Sequence, residues 1–133
     1  SMVGIVHAMG HACGGVSRAP HGDCMTILLP YGMEYNLSAV AEYYAKLLLP
    51  LAGAEVYADT PASERASKSI DAVREMAENY NKICGLPTRL SEVGVKKDDL
   101  PQIARAAIND GAIIVNPVEA SESDVLGILE KAF

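Results

Sequence analysis

The sequence predicts an all-α protein, a helical bundle of about five or six helices. Apolar residues recur at three- and four-residue steps along most of the chain, the period of one helix face. Cap residues, glycines and prolines punctuate those stretches at helical rather than strand spacing. The composition agrees with a real core: half of the 133 residues are hydrophobic and only 5% are aromatic. Such a core is built mainly from Ala, Leu, Ile, Val and Met.

Residues 4 to 13 fit a first helix, and Gly14-Gly15 can end it in a left-handed turn. Gly10, Gly14 and Gly15 each cost roughly 1 kcal/mol against Ala inside a helix. That cost also suits a close approach of something large to the backbone. Pro20 fixes its own φ and biases Ala19 toward extended geometry, which places His21 on a constrained loop. The run "CMTILLP" is apolar on every side and reads as a buried helix interrupted by Pro30. Ser38 then caps a helix through Val40, Tyr44, Leu47 and Leu51, which Pro50 kinks or ends.

The clearest helix runs from about Pro61 to Cys84. Ala66, Ile70, Val73, Ala77, Tyr80 and Cys84 form one apolar stripe, Thr60 is the N-cap with Pro61 first in the helix, and Gly85 and Pro87 stop it. Asp98 or Asp99 caps a shorter helix whose face is Leu100, Ile103, Ala104, Ala107 and Ile108, ending at Gly111. "AIIVNP" has the composition of a short strand but no strand to pair with. Ser121 and Asp124 form a capping-box pattern ahead of Val125, Ile128, Leu129 and Ala132. Loops are expected near 53–60, 86–97 and 111–120. Tyr43, Tyr44 and Tyr80 read as packing residues, and Met9, Met25 and Met33 as core filler, with Met9 also placed to line a pocket if the chain is part of a full enzyme.

Length and charge bound the rest. The chain fits one domain, residues 3–133, with Ser1-Met2 read as an expression-tag remnant. The net charge is −6 and no basic run exceeds Lys96-Lys97, which excludes the counterion-releasing surface nucleic acid needs. The apolar run "KLLLPLAGA" is too short to cross a bilayer and contains Pro50, so no membrane is expected and the cytoplasm is the default. Cys13, Cys24 and Cys84 form no CxxC pair and read as reduced, partly buried thiols.

The chemistry concentrates near the N-terminus. All three histidines, His7, His11 and His21, fall within fifteen positions. On a helix His7 and His11 lie one turn apart, about 5–6 Å between Cβ atoms, close enough to share a metal. The residue after His7 is Ala8 rather than Glu, so the general base of a HExxH zinc protease is missing. A bare HxxxH pair is as readily structural. His21, behind Gly-Gly and Pro, can return over the helix to join the other two, and Asp23 is the sole carboxylate nearby. Spacing alone does not name a metal.

The stretch "GIVHAMGHACGGVSRAPHG", followed by "ILLPYGMEYN", resembles the signature of the iron-containing (group III, metal-dependent) alcohol dehydrogenases. "CGLPTRLSEVGVKKDDLP" and "NPVEASESDVLGILEKAF" are similar to later segments of that family, so the resemblance covers the chain after Ser1-Met2. It implies a fold like the C-terminal domain of iron-containing alcohol dehydrogenase and dehydroquinate synthase-like proteins. In the family, an N-terminal α/β domain binds NAD(P) and the helical half holds Fe2+, or in some members Zn2+. The family's metal ligands are an Asp and a His from one helix plus two later histidines. Carried over by motif, the later two are His7 and His21, which replaces the His7–His11 pairing that spacing suggests. His11 matches a catalytic histidine beside the nicotinamide and the substrate, often invoked in proton relay.

The resemblance implies an oxidoreductase that interconverts a small alcohol and its aldehyde by metal-assisted hydride transfer. The chain departs from the pattern in two respects: it has no DxxxH pair and no glycine-rich strand–turn–helix for a pyrophosphate. It therefore reads as a C-terminal fragment, a partial metal-binding domain without its nucleotide-binding domain, inactive alone. The alternatives are a subunit of a split dehydrogenase and a non-catalytic helical module with a vestigial metal site. Apolar surface that would pack on the missing part points to a homo-oligomer or a domain-swapped dimer.

Overall fold

The computed structural model describes residues 3–133, so the reading of Ser1-Met2 lies outside the described residues. Five α-helices follow in order: α1 (Ile5–Ser17), α2 (His21–Asp59), α3 (Arg65–Cys84), α4 (Leu100–Ile108) and α5 (Glu122–Ala132). Three short 3-10 turns, Leu90–Val93, Lys97–Asp99 and Gly111–Val115, connect the later helices, and no strand occurs among the described residues. The all-α expectation holds.

The core lies where α1, the first half of α2, α4 and α5 meet. Ile5, Met9, Cys13, Cys24, Leu28, Leu90, Leu100, Ile103, Val125 and Leu129 are each at most 2% exposed there. The expected faces of α4 and α5 are the buried ones, apart from a half-buried Ile108. The Ser121–Asp124 capping box forms as well: Asp124 N donates to Ser121 Oγ at 3.2 Å, and Ser121 N donates to Asp124 Oδ2 at 2.9 Å. Met9 is fully buried in this core and so lines no pocket.

Helices α1 and α2 touch closely at two glycines. A Cβ on Gly10 would collide with the Met25 methyl, and a Cβ on Gly32 would collide with Val6 Cγ2. The large neighbour that Gly10 admits is therefore α2 itself. Gly14 and Gly15 do not end α1: the helix runs on to Ser17, and Arg18 takes the left-handed conformation at φ 59°. Arg18 N donates to Gly14 O at 3.0 Å and closes the helix.

Helix α2 departs most from expectation. It continues through Pro30, Ser38 and Pro50, and its non-helical residues are Val40 (φ −131°, ψ 20°) and Gly53 (φ 89°). Ser38 is thus inside a helix rather than capping one, and the expected loop at 53–60 is mostly a last helical stretch beyond Gly53. Packing explains why Pro30 is tolerated: its ring is buried on a segment gripped by α1 on one side and α3 on another, and such burial offsets the lost backbone hydrogen bond. Gly53 takes a backbone conformation that side-chain-bearing residues rarely adopt, so the break falls there and not at Pro50.

Helix α3 lies antiparallel on α2. Buried Ser69 donates through Oγ to Tyr44 O at 2.7 Å, while farther along α3 Arg74 pairs with Glu34 at 2.6 Å. The helix begins at Arg65, later than expected. Thr60 instead closes α2, its N–H and its Oγ1 both donating to Val56 O. Only the first half of the α3 stripe is covered: Ala66 and Ile70 are buried, but Tyr80 is 51% exposed and Cys84 is exposed. Tyr43 is also exposed, so neither it nor Tyr80 is a packing residue; Tyr44 is half-buried.

"AIIVNP" is a 3-10 turn and not a strand. Ala112 faces the core, Ile114 faces solvent, and Asn116 anchors the end of the segment. Asn116 Oδ1 accepts from Ile5 N and from Asn36 Nδ2, each at 3.0 Å. Its Nδ2 donates to Asn36 Oδ1 at 2.8 Å and to Val118 O at 2.7 Å. One side chain thus ties the 111–120 connection to the start of α1 and to α2.

Candidate metal and proton-relay site

His7 and His11 project from successive turns of α1, and His21 is the first residue of α2. The link between them is three residues long. Left-handed Arg18 reverses the chain, and extended Pro20 (φ −62°, ψ 131°) delivers His21 back toward α1. The ring centroids lie 5.8 Å apart for His7–His11, 5.7 Å for His7–His21 and 5.4 Å for His11–His21, the last pair stacked. Three imidazoles therefore meet at the α1–α2 corner, with His7 half-buried and the other two exposed.

A fourth group joins them. Asp110, in the connection after α4, places Oδ2 3.0 Å from His11 Nδ1. Its Oδ1 accepts from Ala112 N at 2.8 Å, which caps the Gly111–Val115 turn. The Ala112 N–H holds the Asp110 carboxyl below the ordinary carboxylate range, and His11 adds to the effect against an opposing desolvation. Sequence reasoning missed Asp110, which lies 99 positions from His11. Its local signal, "NDG", is that of a turn and says nothing about a histidine partner.

Neither His7 nor His21 makes a hydrogen bond among the described residues, so their ring nitrogens are free for another partner. No set of three His, Cys, Asp or Glu side chains among the described residues is arranged to hold a metal by itself, and Asp23 does not complete one. Cys13 and Cys24 are buried beneath the corner as free thiols. Hydrogen bonding to Cys24, reinforced by burial, pushes the Cys13 thiol well above its ordinary value and keeps it protonated.

An all-helical domain with imidazoles converging at one corner is the class of protein defined so far. The model of the Fe-containing alcohol dehydrogenase family, C-terminal, matches residues 1–133. The chain belongs to the iron-containing alcohol dehydrogenase family and corresponds to its C-terminal domain. It is 34% identical over 131 residues to 1,3-propanediol dehydrogenase of Klebsiella pneumoniae, covering 98% of this chain and 32% of that protein. Lactaldehyde reductase of Escherichia coli K12 is 33% identical, with 98% and 33% covered. Among solved structures, 1,3-propanediol oxidoreductase superposes with a TM-score of 0.86 at 32% identity, covering 98% of this chain and 32% of that one. An alcohol dehydrogenase from Oenococcus oeni gives 0.80 at 34% identity, with the same shares covered. The chain thus spans about a third of the length of the curated relatives it matches.

Proposed function

We propose that this chain is the helical metal-holding portion of an NAD(P)-dependent, iron-type alcohol dehydrogenase that interconverts a small alcohol and its aldehyde. The observation that carries the reading is the meeting of His7, His11 and His21 at one corner. His7 and His21 fit the metal as two of its ligands, because imidazole nitrogens suit Fe2+ and Zn2+ and the nitrogens of both rings make no hydrogen bond among the described residues. The remaining ligands, by family likeness an Asp and a His, would come from outside this sequence. When bound, the metal would supply Lewis-acid polarisation of the substrate oxygen, and a nicotinamide would supply the hydride chemistry.

His11 is assigned the proton. Its ring is stacked on His21, and its side chain is 45% exposed, so it adjoins the proposed ligands and opens to water. A neutral imidazole there can take the alcohol proton and pass it outward.

The isolated chain is expected to be inactive, since it offers two metal ligands where a catalytic site draws at least three from protein. A cytoplasmic location is proposed for the enzyme by family likeness; the described residues hold no helix long and apolar enough to cross a membrane. Exposed Leu47, Leu49, Met76, Tyr80 and Ile83 on the α2–α3 pair support self-association.

The test is an anaerobic titration of the metal-free chain with Fe2+ and with Zn2+, beside His7→Ala and His21→Ala. Weak binding that each substitution weakens further, with no NAD-dependent alcohol oxidation, is the expected result. Binding indifferent to both substitutions would refute the ligand assignment and favour a vestigial site. Tight one-to-one binding lost in both variants would mean that the site is completed by Asp23 or by another chain, and would favour the split dehydrogenase.

A further inference from the structure

We propose that Asp110 is a positioning residue for His11, holding it in the tautomer that bears hydrogen on Nδ1 and leaves Nε2 basic. The role of that tautomer in turnover rests on the proton-relay reading above; the tautomer itself does not. An ionised carboxylate only accepts hydrogen bonds. Asp110 is kept ionised by the Ala112 N–H, which occupies Oδ1 at 2.8 Å. The remaining oxygen, Oδ2, faces His11 Nδ1 at 3.0 Å, so that nitrogen must be the donor. His11 Nε2 has no hydrogen-bond partner among the described residues and is left with its lone pair.

The arrangement opposes the intrinsic preference of histidine, whose free side chain favours hydrogen on Nε2. It is also built rather than incidental. Asp110 N donates to Ala107 O at 3.1 Å at the close of α4, and buried Ala112 anchors the turn that follows. The backbone on both sides thus fixes where the carboxylate points. An imidazole that must take a proton from an alcohol needs a lone pair on the nitrogen facing the substrate, and a wrong tautomer cannot accept it.

The asymmetry between the two oxygens makes a sharp test. In Asp110→Asn, the single amide oxygen is claimed by the Ala112 N–H, because the opposite flip would set two donors against each other. The amide nitrogen then faces His11 Nδ1 and donates to it, which drives the hydrogen to Nε2. Long-range proton–nitrogen correlation spectra of the 15N-labelled chain, recorded where His11 is neutral, read the tautomer directly. The expected result is a pyridine-like nitrogen at Nε2 in the unsubstituted chain and at Nδ1 in Asp110→Asn. Asp110→Ser, which can still cap Ala112 but is too short to reach His11, should also revert to the Nε2–H form.

A predominantly Nε2–H His11 in the unsubstituted chain overturns the proposal. So does an Nδ1–H form that persists in either variant. The metal titration reads His7 and His21 and not the His11 tautomer, so the two assignments can fail separately.

Discussion

Replacing Asn116 with Ala should destabilise the domain by about 3–5 kcal/mol. The side chain makes four hydrogen bonds: from Ile5 N, with Asn36 in both directions, and to Val118 O. An ordinary hydrogen bond contributes about 0.5–1.5 kcal/mol net, but a buried group left unpaired costs about 1–3 kcal/mol. Asn36 is only 7% exposed, so the substitution strands both ends of its amide. Ile5 N is one of the free donors at the start of α1 and loses its cap as well. At about 4 °C per kcal/mol for a domain of this size, the midpoint of thermal unfolding should fall by roughly 12–20 °C. Urea unfolding followed by helical circular dichroism gives the free energy. The double-mutant cycle with Asn36→Ala isolates the pair, whose coupling should exceed about 1 kcal/mol because each amide serves the other. A single-mutant loss below about 1 kcal/mol, or strict additivity, would show that the 111–120 segment is held by something other than this amide pair.

Ile103→Ala, at a fully buried core position, should cost about 2–5 kcal/mol in the same assay with little change in urea dependence. Gly10→Ala should stay within about 1 kcal/mol of the parent, since the obstacle is the mobile end of Met25 and Ala gains about that much helix propensity. Gly53→Ala, though it meets nothing in space, should lose about 1–2 kcal/mol because φ is 89°. If the two glycines rank the other way in urea, crowding and not backbone conformation governs α2. Asp110 has a folded pKa below its unfolded value of about 3.9, so its contribution to stability is complete above that pH. It is lost as pH falls through the lower folded value; urea midpoints between neutral and strongly acid pH should therefore drop less in Asp110→Asn than in the parent.

The helices legible in the sequence were those whose burial is one-sided. The α4 face of Leu100, Ile103, Ala104 and Ala107 is read correctly because solvent and core lie on opposite sides of a single helix. The capping box at Ser121 is equally local, and its geometry follows from the four consecutive residues Ser121 to Asp124. Helix α2 departs from the pattern of its sequence for the opposite reason. Pro30, Ser38 and Pro50 are strong local signals of interruption, but whether a helix yields to them depends on what packs beside it, and here the helix runs through all three and leaves helical geometry at Val40 and Gly53 instead. The stripe on α3 failed in another way: a helical period shows that one face is apolar and not that anything covers it. Tyr80 and Ile83 complete the period and still face outward.

The site divides along the same line. His7, His11 and His21 are near neighbours in the chain, so a turn of three residues suffices to bring their rings together, and a sequence motif can carry the whole arrangement. Asp110 reaches His11 only because α4 packs across α1 and ends where it does. No period or spacing encodes that contact. The residues that would bind a metal are thus local and legible, whereas the one that orients the proton carrier is a product of tertiary packing. Such a division has a mechanical consequence. Anything that shifts α4 against α1, including a cavity at Ile103 or loss of the Asn116 anchor, should disturb the His11 tautomer before it moves His7 or His21, because those two are joined by covalent chain and the Asp110–His11 contact is not.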